Sequence, residues 1–244
     1  MNTETQTINV NGIQVQVVRK NIKNLHLGVY PPSGRVRVAA PEVLSNDAVR
    51  LAVVAKLGWI KRQQAAFTAQ ERQSKRQIVG GESHDFLGRR YRLRFIATTT
   101  GSARVILRGK SHLEMHASAD LTHIQREQVL QRWYRQQLKQ LIPSMLEEWS
   151  AVLGVETPTW GIKRMKTKWG SCNIGAKRIW LNLELIKKPL RCLEYVIVHE
   201  LVHLLERHHN DHFMQILDSV MPMWRSHRTE LNRLPLAHED WSDA

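Results

Sequence analysis

Cysteine is nearly absent from this chain, which carries two, Cys172 and Cys192, among 244 residues. That is too few for a disulfide framework, and without a CxxC pair it also argues against a four-cysteine zinc ribbon. Long apolar runs are missing too. None approaches the ~20 residues of a membrane-spanning helix, so no membrane span is expected. The start, Met1-Asn2-Thr3-Glu4-Thr5, has neither the basic nor the apolar segment of an export signal, and the expected location is the cytoplasm. Acidic residues are scarce beside basic ones, 22 against 36, which gives a formal net charge of +14. No repeat or low-complexity tract stands out, and the length accommodates one large domain or two small ones.

The charge is distributed unevenly. Residues 1–118 hold 19 Lys and Arg against 7 Asp and Glu, and residues 119–244 hold 17 against 15, so the first region carries +12 and the second +2. Residues 1–118 read mainly as strands. Ile8-Asn9-Val10 and Ile13 to Val17 flank Asn11-Gly12, a strong hairpin signal. Further strands are expected at 25–30, 35–38, 91–96, 104–107 and 113–115. One helix is expected from a Ser45 or Asn46 cap through Val49, Val53, Leu57 and Ile60 to Gln73. A second runs from Leu121 to Gly154, with Pro143 kinking or interrupting it. A basic, β-rich region with Arg72, Lys75, Arg76, Arg89, Arg90, Arg92 and Arg94 predicts contact with DNA or RNA through phosphates.

The chemistry lies in residues 119–244. In His199-Glu200-Leu201-Val202-His203 the two imidazoles are four residues apart, nearly one helical turn, so both can reach one Zn²⁺. Glu200 between them can take a proton from a water at the metal, the physical content of the HExxH pattern. The flanks from Tyr195 to Leu205 are largely apolar, and ionisable groups on such a buried helix are costly unless hydrogen-bonded or metal-bound. A third ligand is needed. On an unbroken helix His209 would be turned roughly 240° from His203, so the helix must end first. Asn210 or Asp211 can then cap a second helix that ends near Pro222. His209 is the ligand this geometry favours, with His208 and His212 as alternatives.

Two short segments, 162–169 and 177–183, flank the loop Asn173-Ile174-Gly175-Ala176 and predict a hairpin beside the helix. An extended peptide substrate is expected alongside Lys177 to Leu183. Tyr195, one turn before His199, offers a hydroxyl to a tetrahedral intermediate, and Asn182 can orient a ligand or a substrate carbonyl. The rival reading is a nucleic-acid-binding protein with a structural zinc, which requires a fourth protein ligand such as Cys172 or His212.

Lys168-Trp169-Gly170-Ser171-Cys172, Ile179-Trp180-Leu181-Asn182, Tyr195 to His203, and His209 followed by Phe213 together resemble the YgjP-like metallopeptidases, relatives of the SprT-like zinc peptidases. The resemblance implies Zn²⁺ as cofactor, His199, His203 and His209 as ligands, and Glu200 as catalytic base. The His199 to His209 spacing also equals that of metzincins, but Glu206 stands where those carry a Gly. The SprT-like relatives act on DNA-bound proteins, which by analogy extends the substrate class. The expected fold is α+β: a zincin-like metallopeptidase domain over 119–244, with an HExxH active-site helix and adjacent β-hairpin, preceded by a β-rich region over 1–118 with one helix.

Overall fold

The computed structural model describes residues 5–30, 33–69, 77–165 and 168–233. The chain forms two compact units that divide between Arg72 and Gln73. In the first, Asn11 and Gly12 take φ of 49° and 81°, the left-handed values of a two-residue hairpin turn, and join β1 (Thr5–Val10) to β2 (Ile13–Lys20). β3 (His26–Tyr30) and β4 (Arg35–Pro41) complete a sheet ordered β1-β2-β4-β3, in which β2 and β4 are parallel. Val15, Val17, Val36 and Val38 alternate inward and form a core with Val49 and Val53 of α1 (Asn46–Val54) and Ile60 of α2 (Leu57–Ala69). The Ser45 hydroxyl caps α1 by accepting the Ala48 N–H at 3.2 Å. The single helix expected here is therefore two. The break at Ala55-Lys56 comes just before Gly58, a residue that costs a helix about 1 kcal/mol relative to Ala.

The second unit opens with a sheet of the same plan. β5 (Ser83–Phe86), β6 (Arg89–Ala97), β7 (Arg104–Arg108) and β8 (His112–Ala117) are ordered β5-β6-β8-β7, with β6 and β8 parallel. Its first turn again uses two left-handed residues, Leu87 at 48° and Gly88 at 75°. The Leu87 N–H donates to the Ile186 carbonyl at 2.8 Å, and a side chain at Gly88 would meet Pro189 Cα at 3.0 Å. This turn braces the chain just ahead of the metal-site helix.

Phe86, Leu93, Leu113 and Met115 share a core with Trp133, Tyr134 and Leu138 of α3 (His123–Leu153), and the Tyr134 hydroxyl donates to the Asp85 carbonyl at 2.9 Å. The strands from Ser83 to Ala117 thus bury their apolar face on α3 and lie in the same compact unit as residues 119–233. α3 passes Pro143 without interruption. Leu138, Ile142 and Leu146 are fully buried on either side of it, and the carbonyl that loses its donor belongs to exposed Lys139, where water can replace the bond.

β9 (Thr159–Lys163), β10 (Gly170–Asn173) and β11 (Arg178–Asn182) form a third sheet ordered β10-β11-β9. β10 and β11 pair antiparallel, so the strand facing Arg178–Asn182 across the 173–176 loop is Gly170–Asn173, not the expected 162–169. The segment around Ile162 pairs with the other edge of β11, in parallel. A 3-10 turn, Leu183–Lys187, leads to α4 (Leu190–Val202), α5 (Asp211–Val220) and α6 (Trp224–Arg233). Among the described residues no helix is long and apolar enough to cross a membrane.

Candidate metal centre

α4 buries Leu193, Val196, Ile197, Val198, Leu201 and Val202. Trp149 of α3 donates its indole N–H to Glu194 at 3.1 Å, and Arg191 pairs with Glu230 of α6, so the helix is held from both sides. His199 and His203, four residues apart, bring their ring centroids to 5.0 Å. The helix ends there because Leu205 and Glu206 both donate N–H groups to the Val202 carbonyl at 2.9 Å, closing a turn. Glu206 organises the segment between α4 and α5. Its carbonyl accepts from His203 Nδ1 at 3.1 Å, and its carboxylate accepts the His208 N–H at 3.0 Å and lies 3.4 Å from His212 Nδ1. The His208 amide, with Asn210 and His212, holds the Glu206 carboxyl below its ordinary range. Asn210 then caps α5 by accepting the Phe213 N–H at 2.9 Å.

This path returns His209 to the other two histidines. His209 Nε2 lies 3.0 Å from His199 Nε2, and one nitrogen from each of His199, His203 and His209 falls within 4.8 Å of the others. His208 and His212 are outside this group. The donor set fits a metal ion: two nitrogens ~2.0–2.1 Å from a tetrahedral Zn²⁺ stand about 3.4 Å apart, close to the His199–His209 separation. His203 donates from Nδ1 to a carbonyl, which keeps its Nε2 free to ligate. Burial, reinforced by His203, His209 and Arg228, pushes the His199 imidazole down to about 3, so it is neutral, the form that binds metals. Phe213 is fully buried against all three rings, 4.8–5.0 Å from their centroids, and fixes their arrangement.

Glu200 is 5% exposed. Burial raises its carboxyl to about 8, with Lys168 pulling the other way. It lines a cleft of about 920 Å³ together with the three histidines and Gly170, Ser171, Cys172 and Asn173 of β10. Cys172 is in the cleft but outside the histidine group; burial, then Glu200, pushes its thiol up to about 11.

A family model for the YgjP-like metallopeptidase domain matches residues 23–234, most of the chain. The protein belongs to the YgjP-like metallopeptidase family. Among solved structures it is similar to two metallopeptidase zymogens. One is jannalysin of Methanocaldococcus jannaschii, at 23% identity and TM-score 0.33, covering 36% of this chain and 90% of that one. The other is abylysin of Pyrococcus abyssi, at 22% identity and TM-score 0.34, covering 38% and 97%. No curated protein matches the chain.

Within this YgjP-like domain the remaining site residues divide. Tyr195 stays beside the histidines: its ring is 5.8 Å from His199 and stacks on Trp224 at 6.3 Å, and among the described residues its hydroxyl makes no hydrogen bond. Burial raises its phenol, opposed by Arg228. Asn182 is 4% exposed and engaged within the fold. Its amide donates to the Met165 and Lys168 carbonyls at 2.7 and 2.8 Å and accepts the Glu184 N–H at 3.2 Å, so it pins the loop that leads into β10. β11 is paired on both edges, and among the described residues the strand with an unpaired edge beside the cleft is β10.

Gly170, which in the sequence is only one letter of a motif, has a direct relation to Glu200. A Cβ at Gly170 would meet Glu200 Oε1 at 2.5 Å and Cγ at 2.8 Å. Those atoms belong to a side chain that can swing, so Gly170→Ala is expected to displace the carboxyl rather than unfold the domain. Misplacement of a catalytic group by ~1 Å costs roughly 10²-fold. The expected result is a melting temperature near wild type with peptidase turnover down by about that factor, measured on one metal-loaded preparation. A wild-type rate would show that Glu200 tolerates the shift.

Proposed function

We propose that this YgjP-like protein is a zinc-dependent endopeptidase in which His199, His203 and His209 hold the metal and Glu200 is the general base. The observation that carries the reading is the convergence of three imidazole nitrogens within 4.8 Å beside a buried carboxyl. The HExxH helix α4 next to the β10–β11 hairpin is the arrangement expected of a zincin-like domain. Zinc held there supplies Lewis acidity to the scissile carbonyl and positive charge that favours Glu200 as carboxylate. Glu200 accepts a proton from the attacking water and returns it to the leaving amine. The Tyr195 hydroxyl, which makes no hydrogen bond among the described residues, donates to the oxyanion. An extended polypeptide adds to the free edge of β10 by backbone pairing, which requires no chain terminus and so favours internal cleavage. Two free thiols, Cys172 and Cys192, fit a reducing cytoplasm.

A structural zinc is disfavoured, because the histidine group includes neither Cys172 nor His212 as a fourth ligand. The test is metal removal. Cleavage of an unfolded protein such as casein should stop after treatment with a zinc chelator and return with about one equivalent of Zn²⁺, and mass spectrometry should find internal cuts. Unchanged cleavage by demonstrably metal-free protein would sink the proposal.

A further inference from the structure

Strand alternation in the β5-β6-β8-β7 sheet separates two faces. Tyr91, Leu93, Val105, Leu113, Met115 and Ala117 turn into the core, which sends Arg90, Arg92 and Arg94 of β6 and Arg104 and Arg108 of β7 to the other face. All five arginines are exposed. The register sets them around the imidazoles of β8: Arg92 and Arg108 both pair with His112, and Arg104 pairs with His116. Two carboxylates on this face are already engaged. Glu114 accepts from Arg108 at 3.0 Å and lies 3.2 Å from His116, while Asp85 lies 3.8 Å from Arg90. Among the described residues Arg92, Arg94 and Arg104 make no ion pair. Across the neighbouring strands Arg92 faces Ser83 and His112, Arg94 faces Glu114, and Arg104 faces His116.

We propose that this face binds single-stranded nucleic acid, with phosphates on Arg92, Arg94 and Arg104 and bases against the histidines and guanidinium planes. Three features select this occupant. The cations are arginines, whose planar forks grip phosphate bidentately and whose faces stack on bases. Successive outward residues of β6 are about 6.6–6.8 Å apart, so they form an extended row rather than a point site. Four strands span about 14 Å between their outer axes, too wide for a duplex major groove of ~12 Å that admits an α-helix or a two-stranded ribbon. The surface is independent of the peptidase reading, because none of these residues belongs to the metal cleft. The basic residues Arg72, Lys75 and Arg76, also expected to contact nucleic acid, lie outside the described residues.

The experiment uses the full chain and a fluorescently labelled oligo(U) of about 15 nucleotides, with anisotropy read at several salt concentrations. Wild type should bind at low salt with log K falling linearly in log salt, because bound phosphates release counterions. Arg92→Ala, Arg94→Ala and Arg104→Ala combined should weaken binding at least tenfold and flatten the slope by about 2, at roughly 0.7 per phosphate on a single strand. A control with equal loss of charge, Lys56→Ala, Lys61→Ala and Arg62→Ala on α1–α2 and their junction, should stay within about threefold of wild type. Lysine at the same three sheet positions should retain the salt slope, which separates loss of contact from loss of fold. The proposal is overturned if wild type does not bind, if the control loses as much as the sheet variant, or if a duplex or a polyglutamate competes as well as oligo(U).

Discussion

Glu200→Gln is expected to abolish peptidase turnover, by a factor of about 10²–10⁴, while the protein keeps its zinc and its fold. The amide matches the carboxyl in shape, so the close approach of Gly170 is undisturbed, but it cannot accept a proton from water. Metal content and rate must be measured on the same sample; undiminished cleavage by zinc-loaded variant would falsify the assignment of the base. The same substitution has a second consequence in the metal-free protein. Glu200 holds its proton up to about 8 when folded, against an ordinary value near 4.5. Between those values the folded state binds a proton that the unfolded state has lost, so its contribution to stability is full below about 4.5 and disappears as pH rises through 8. A glutamine does not titrate. Metal-free wild type should therefore lose stability relative to Glu200→Gln as pH rises from 5 to 8, by an amount of order a few kcal/mol, readable as diverging melting temperatures. His199, pushed down to about 3, acts in the opposite sense: its contribution is lost as pH falls from about 6.5 toward 3, in both proteins.

His209→Ala should reduce zinc affinity by several orders of magnitude and take activity with it, whereas His208→Ala and His212→Ala should leave one equivalent of zinc in place. The contrast is informative because all three histidines are exposed and lie within five residues of one another, and His209 is the one with a nitrogen 3.0 Å from His199. Losing one of three ligands leaves a site below the count that catalytic zinc requires. Removal of His212 forfeits its contact with half-buried Glu206 across 3.4 Å, in which the imidazole itself is largely exposed and the contribution correspondingly small. Loss of zinc in His212→Ala alone would reassign the third ligand.

The parts of the fold legible in the sequence are those governed by neighbours along the chain. The Asn11-Gly12 turn, the Ser45 cap and the Asn210 cap of α5 each depend on residues at most four apart, and each is in place. β10 is not legible in the same way, because Gly170, Ser171 and Cys172 have little strand propensity of their own and are extended only by pairing with β11. Asn182 has the side-chain type that suits a ligand. Its amide is consumed by carbonyls 14 and 17 residues away, a distance at which sequence spacing says nothing.

Glu206 marks the division most clearly. Read as a letter, it is the residue that replaces a glycine; in the fold, its carboxylate collects the His208 N–H and its carbonyl the His203 imidazole, so side-chain bonds shape the turn that a flexible residue shapes elsewhere. The sequence alone determined the chemistry: two histidines and a glutamate in one helical turn, a third histidine within reach, and a surplus of arginine. Tertiary structure decided which histidine completes the group, that Gly170 must lack a side chain for Glu200 to sit where it does, and that the strands from Ser83 to Ala117 repeat the order of the first sheet while joining the metal-bearing unit. The physical reason is range. Helical spacing and caps act over a few bonds, whereas parallel pairing, burial and ligand convergence bring together segments whose separation along the chain is set only when the core closes.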